Sequence, residues 1–140
     1  MNTEDTPVTL IRSVELTDEA PYAYAAVTPP DRSLVFTAGA CPLNAEGETV
    51  APGDLVAQTN QVMDNLETAL RSAGAELRHV AKTTVYVATH RREDLVAAWQ
   101  VVHERFGEHD APSTLLGVAV LGYPDQLVEV EVVAVRPLLG

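Results

Sequence analysis

Two periods alternate along the chain. Val8 to Val14, Tyr22 to Thr28 and Ser33 to Gly39 are short runs rich in β-branched and aromatic residues. The polar Thr17-Asp18-Glu19, then Pro21 and the turn Pro29-Pro30-Asp31 separate them, so the opening reads as a strand meander. Cys41 to Asp54, punctuated by Pro42, Gly47, Pro52 and Gly53, reads as a loop. From Leu55 to Ala73 the period lengthens. Leu55, Val62, Met63, Leu66, Ala69, Leu70 and Ala73 recur at three- and four-residue steps, which is one face of a helix, with Asp54 as its cap and Gly74 as its stop. His79 to Thr89 returns to the density of a strand. A second helix follows from Glu93 to Phe106, with Leu95, Ala98, Trp99, Val102 and Phe106 on one side and Gly107 at its end. Thr114 to Leu121 and Leu127 to Arg136 close the chain as two strands around the turn Gly122-Tyr123-Pro124-Asp125.

The predicted order is therefore β-β-β-α-β-α-β-β, an α/β (α+β) domain. Two helices of this length cover one face of a mixed sheet of five or six strands. The sheet's other face is apolar too, and packing against copies of the same chain is the simplest way to keep it from water. A chain of 140 residues makes one domain, spanning 1–140, with residues 1–8 as a frayed lead-in.

Charge narrows the partners. Nine basic against twenty acidic side chains leave a formal charge of −11, and Lys82 is the single lysine. Phosphate backbones are repelled by such a surface, and no aromatic-interleaved basic patch offsets it, so nucleic acid is not an expected partner. One cysteine makes no intramolecular disulfide. No signal peptide opens the chain and no apolar run reaches the roughly 20 residues of a membrane span, so the expected home is the cytoplasm, with no membrane contact.

Candidate chemistry concentrates on the last strand. Alternation puts Leu127, Glu129, Glu131, Val133 and Val135 on one face and Val128, Val130, Val132 and Ala134 on the other. A carboxyl group on an apolar strand face is either a general acid or base whose charged form burial disfavours, or a structural group paired with a cation such as Lys82 or Arg136. Cys41 reads as a small buried hydrophobe rather than a nucleophile, because no histidine stands near it. His79, His90, His103 and His109 lack metal-ligand spacing, and no glycine-rich loop carries the partners of a phosphate cradle, so neither metal nor cofactor is expected. Tyr22 and Tyr24 alternate on one strand, either lining a pocket or packing in the core. Trp99 falls on the apolar stripe of the second helix, and Ser113-Thr114 after Pro112 reads as a turn.

Several segments in order resemble the Rid (YjgF, or L-PSP) family from about Pro21 to Arg136. They are Pro21-Tyr22, TAGACPLNAEG, GDLVAQTNQVMDNLETALRSAGA, VAKTTVYVAT and LVEVEVVAV. The resemblance implies a chorismate-mutase-like YjgF fold, a homotrimer built around a central barrel, and small-molecule clefts between subunits. It also implies hydrolysis of reactive enamines or imines, such as 2-aminoacrylate, to a keto acid and ammonia. By the same resemblance the water-directing glutamate falls on Glu129, a pocket tyrosine on Tyr22 and a hydroxyl or thiol on Thr114. Gly39, Trp99 and Ser113 join the substrate-binding set. The family's third-strand serine falls on Ala38, the glutamine after the glycine on Ala40, and a cleft asparagine near Trp99. Its substrate-clamping arginine falls on Pro112, and nothing in the sequence brings Arg32 or Arg105 to replace it. An arginine fork gives two charge-assisted hydrogen bonds that proline cannot supply. The expectation is thus a divergent Rid enzyme acting on an imine or enamine without the usual carboxylate, and not on 2-aminoacrylate. A non-catalytic trimeric binding protein is the alternative, and a ribonuclease a distant third.

Overall fold

Three short strands open the chain in the computed structural model, which describes residues 7–138: β1 (Thr9–Ile11), β2 (Ala25–Val27) and β3 (Leu34–Phe36). They are followed by α1 (Leu55–Ser72), a 3-10 turn at Leu77–His79, β4 (Val80–Ala88), α2 (Arg92–Phe106), β5 (Ser113–Val118) and β6 (Val128–Val135). The element order is the one the hydrophobic pattern predicts.

The sheet is smaller than expected. Four strands form it, in the order β3-β6-β4-β5, while β1 and β2 pair only with each other. Pro29 and Pro30 follow β2 and have no N–H to donate, so the ladder does not run on from β2 into β3. The first strands are also shorter than their sequence runs. Tyr22 and Tyr24 precede β2 instead of alternating along it. Residues 1–6 of the expected lead-in lie outside the described residues, but Val8 is buried and Thr9 pairs with Val27, so the packed chain begins by residue 8.

Both helices lie on one face of the sheet. Val128, Val130, Val132 and Ala134 of β6 and Thr83, Val85 and Val87 of β4 meet Val62, Met63, Leu66 and Leu70 of α1 and Ala98 and Val102 of α2. Asp54 caps α1 by accepting the Ala57 N–H at 3.0 Å, and Gly74, at φ +84°, takes the left-handed turn that ends it. β5 runs parallel to β4, with α2 as the connection, and β6 lies antiparallel between β4 and β3.

The opposite face carries Phe36, Val133 and Lys82 in one row, Glu131, Thr84 and Thr114 in the next, and Glu129, Tyr86 and Leu116 in a third. Nothing among the described residues covers it. Phe36 is 72% exposed, and Leu34 and Leu116 are about half exposed. Among the described residues no helix is long and apolar enough to cross a membrane.

Candidate functional site

Glu129 sits where β3 loses its regular register. Phe36 pairs with Val133 and Ala40 bridges Val130, so the three residues 37–39 stand opposite the two residues 131–132. The Thr37 hydroxyl takes up the slack by accepting the Val132 N–H at 3.0 Å, in place of a backbone carbonyl. This bulge slides Gly39 beneath the Glu129 carboxylate. A β-carbon on residue 39 would lie 1.9 Å from Glu129 Oε2, so glycine is required here for space, not for an unusual φ.

The other carboxylate oxygen is tied down. Glu129 Oε1 accepts from Gln126 Nε2 at 3.0 Å and from the Cys41 thiol at 3.5 Å. Burial and the neighbouring Glu129 charge push the Cys41 thiol up to about 11, so it stays protonated at neutral pH and acts as a donor, not a nucleophile.

Two amides of α1 hold the arms of this arrangement. Gln58, fully buried, accepts the Leu127 N–H at 2.8 Å and donates to the Asp125 carbonyl at 2.9 Å, fixing the turn that carries Gln126. Asn65 donates to the carbonyls of Cys41 and Leu43 at 2.8 and 2.9 Å, fixing the other arm.

Glu131, two residues on, has a different use. It accepts from the Tyr86 hydroxyl at 3.1 Å. Its charge partly offsets the burial that pulls Lys82 below an ordinary lysine. Neither Glu129 nor Glu131 is paired with Arg136, whose stem lies against Gly74. The two reserve arginines do not reach a cleft either. Arg105 binds Asp64 and Glu67, both at 2.7 Å, and joins α2 to α1, while Arg32 pairs with Asp31.

The remaining predicted residues gather elsewhere. Pro21, Tyr22, Trp99, Ser113, Thr114 and Leu115 line a cleft of about 440 Å³. Tyr22 meets Trp99 edge to face at 6.4 Å between ring centroids, and His103 stacks on Trp99 at 5.6 Å. Ser113 and Thr114 open β5 instead of finishing a turn, and the Ser113 hydroxyl donates to the Ala111 carbonyl at 2.9 Å. Thr114 Oγ1 accepts from Lys82 Nζ at 2.7 Å, and an ammonium only donates, so the threonine's own proton is free for the cleft. Pro112 is buried and gives its carbonyl to the Thr83 N–H. It leaves no charged group where the family pattern has its arginine.

One chain does not unite the two groups. Glu129 is on β6 and Thr114 on β5, with β4 between them, a separation on the order of 10 Å at the strand spacing of a sheet. Gln126, Gln58 and the donor role of Cys41 are the residues that sequence reasoning missed.

A mixed sheet backed by two helices, with a carboxylate seated over a glycine on its open face, defines an α+β protein of the YjgF fold. The chain matches the family described as Endoribonuclease L-PSP over residues 13–136, and it belongs to that family, also called Rid or YjgF. Among solved structures it is similar to a Rid family protein of unknown function, YyfB, from Yersinia pestis. That pair shares 32% identity with a TM-score of 0.83, covering 92% of this chain and 98% of the other. The YjgF gene product of E. coli aligns at 28% identity and a TM-score of 0.63, over 96% and 95%. A protein of E. coli K12 named 2-iminobutanoate/2-iminopropanoate deaminase is 31% identical over 106 residues, 74% of this chain and 80% of that one.

Proposed function

We propose that this protein hydrolyses an imine or enamine that lacks the usual carboxylate, in a cleft completed by a second copy of the chain. The observation that carries this reading is the half-buried Glu129 carboxylate, held over Gly39 with one oxygen bonded and the other left clear. In the reaction Glu129 takes a proton from water as the water oxygen bonds to the C=N carbon. Glu129 returns that proton to the nitrogen, then carries the carbinolamine hydroxyl proton to the same nitrogen as the C–N bond breaks, and ammonia leaves a carbonyl product. Tyr22 and Thr114, with Trp99 and Ser113 beside them, orient the substrate. The buried Pro112, which supplies no guanidinium to the cleft, favours a substrate without the usual carboxylate.

The separation of Glu129 from that cleft within one chain, and the exposed Phe36, Leu34 and Leu116, support assembly with copies of the chain; the homotrimer with small-molecule clefts at its subunit interfaces is what the Rid resemblance implies. The printed name of the E. coli relative supports the deaminase chemistry.

The test is ammonia release from a panel of imines with and without carboxylates. We expect acceleration for the uncharged members and a loss of about 10²–10⁴-fold in Glu129→Gln. Wild-type protein that accelerates no member of the panel, or a Glu129→Gln variant as active as wild type, overturns the reading. One observation favours a second reading, a trimeric binding protein without chemistry: Glu129 Oε1 already serves the chain's own hydrogen bonds. Saturable binding without turnover supports that alternative. Ribonuclease activity ranks third because of the −11 charge, and undetectable RNA cleavage at low salt removes it.

A further inference from the structure

We propose that Gln126 is the positioning residue for Glu129, fixing which of its two carboxylate oxygens is available for chemistry. This inference rests on the hydrolytic reading of the same site.

Gln126 is 5% exposed, and every polar atom of its amide is committed. Its Oε1 accepts the Tyr123 N–H at 3.0 Å, while Nε2 donates to the Val128 carbonyl at 3.1 Å and to Glu129 Oε1 at 3.0 Å. These partners also decide the orientation of the amide. Flipped, it would set an oxygen against two acceptors and an NH₂ against an N–H, so only one arrangement satisfies the site. Gln58 clamps the same turn from α1, so Gln126 is held by its backbone as well as by its side chain.

The Cys41 thiol lies 3.5 Å from the same Glu129 oxygen and 3.4 Å from the Gly39 carbonyl, so its one proton is shared between the two acceptors. Two donors from opposite arms thus converge on Oε1, and Oε2 lies over Gly39 with no hydrogen-bond donor among the described residues. A carboxylate held this way cannot turn about its last bond without breaking both contacts. The proton of an attacking water therefore goes to Oε2, the oxygen without an internal donor. Holding a base at one angle acts on the chemical step more than on binding.

Gln126→Glu isolates the donor. It keeps the side-chain length and the acceptor for the Tyr123 N–H, and replaces only the NH₂ that faces Val128 and Glu129. Gln126→Met removes the same donor, and the acceptor of the Tyr123 N–H with it, without adding charge, so a loss common to both variants belongs to the donor. We expect each variant to lose about tenfold or more in kcat, the scale of one hydrogen bond to a charged group, with KM within about twofold. A purely structural glutamine would lower the unfolding midpoint and leave the kcat of the folded fraction unchanged.

A second readout does not need turnover. Iodoacetamide alkylation of Cys41 across pH reports the thiol, which Gln126 partly stabilises in its charged form. The alkylation midpoint, expected near 11 in wild type, should move up in both variants. Unmoved alkylation profiles, or variants that keep the wild-type kcat, overturn the proposal. If wild-type protein releases no ammonia, the hydrolytic reading falls by itself; a midpoint that still moves then supports contact of Gln126 with the Cys41–Glu129 group, and one that does not move overturns the proposal.

Discussion

The Glu129 nest and the Tyr22–Trp99 cleft are built on opposite principles. Around Glu129, buried amides, a thiol and a glycine fix one carboxylate through directional bonds drawn from β6, the residue 37–41 arm and the turn before β6. In the cleft, rings touch edge to face and the polar groups are the Tyr22, Ser113 and Thr114 hydroxyls and the Trp99 ring N–H, with Ser113 bonded to the Ala111 carbonyl and Thr114 exposed beside Lys82. The first region tolerates almost no change because its donors are shared among several acceptors, so moving one group breaks more than one bond. The second tolerates much, because aromatic contacts and solvated hydroxyls can adjust. A fold that keeps a rigid base apart from an adjustable wall can change its ligand without rebuilding its chemistry, and the loss of a charged group at Pro112 falls on the adjustable side.

The largest effect should come from filling the space under Glu129. Gly39→Ala forces a methyl group against Oε2, and neither Gln126 nor Cys41 can give way without losing a bond. We expect a loss of about 1–3 kcal/mol in stability, the usual range for overpacking, together with any hydrolytic activity. Denaturant unfolding with a parallel ammonia assay checks both. A variant as stable and as active as wild type would mean that the carboxylate is not seated there in solution.

A smaller effect tests the electrostatics of the nest. Removing the charge in Glu129→Gln takes away two of the causes that raise the Cys41 thiol and leaves only burial. The variant should therefore alkylate faster at pH 8–9. The sign for stability follows from linkage. The folded thiol ionises near 11 against an ordinary 9.0, so the favourable contribution of Cys41 is complete below about pH 9 and is lost as pH rises through about 11. Glu129→Gln should narrow that window from its upper end, measured as unfolding midpoints between pH 8 and 11.

The two regions also differed in how far they could be read from the sequence. The β6 alternation was legible because a two-residue period leaves no freedom: once Val128, Val130 and Val132 face the helices, Glu129 and Glu131 must face away. The helices were legible for a similar reason. The Gln126–Gln58 support was not, because buried amides look hydrophilic in a composition profile. One signal was present. The apolar stripe of α1 has a gap between Leu55 and Val62, and the residues filling it at helical spacing are Gln58 and Thr59, both fully buried. Polar residues on the core side of a stripe mark buried hydrogen bonds. The grouping of Tyr22, Trp99 and Thr114 was legible only through family resemblance, since it joins an irregular segment before β2 to the middle of α2 and the edge strand β5. Sequence spacing does not encode such contacts, and the split of the open sheet from β1–β2 was missed for the same reason.

The smallest effect should come from Thr114→Val, which decides whether the contrast holds. The substitution keeps the side chain's shape and removes the hydroxyl that Lys82 meets at 2.7 Å, while the Lys82 contact to the Thr83 carbonyl at 3.2 Å remains. Thr114 is exposed in the single chain, so the change should lie within about 0.5 kcal/mol of wild-type stability. Its effect should appear instead in ligand affinity, because the cleft loses a hydroxyl proton that Lys82 leaves free. Trp99, the single tryptophan, lines the same cleft and provides the readout through its fluorescence. Weaker binding of a carbonyl-bearing probe at unchanged stability sharpens the division between a rigid base and an adjustable wall. A Thr114→Val variant that unfolds as readily as Gly39→Ala would show instead that the cleft is as tightly built as the nest, and the division would not stand.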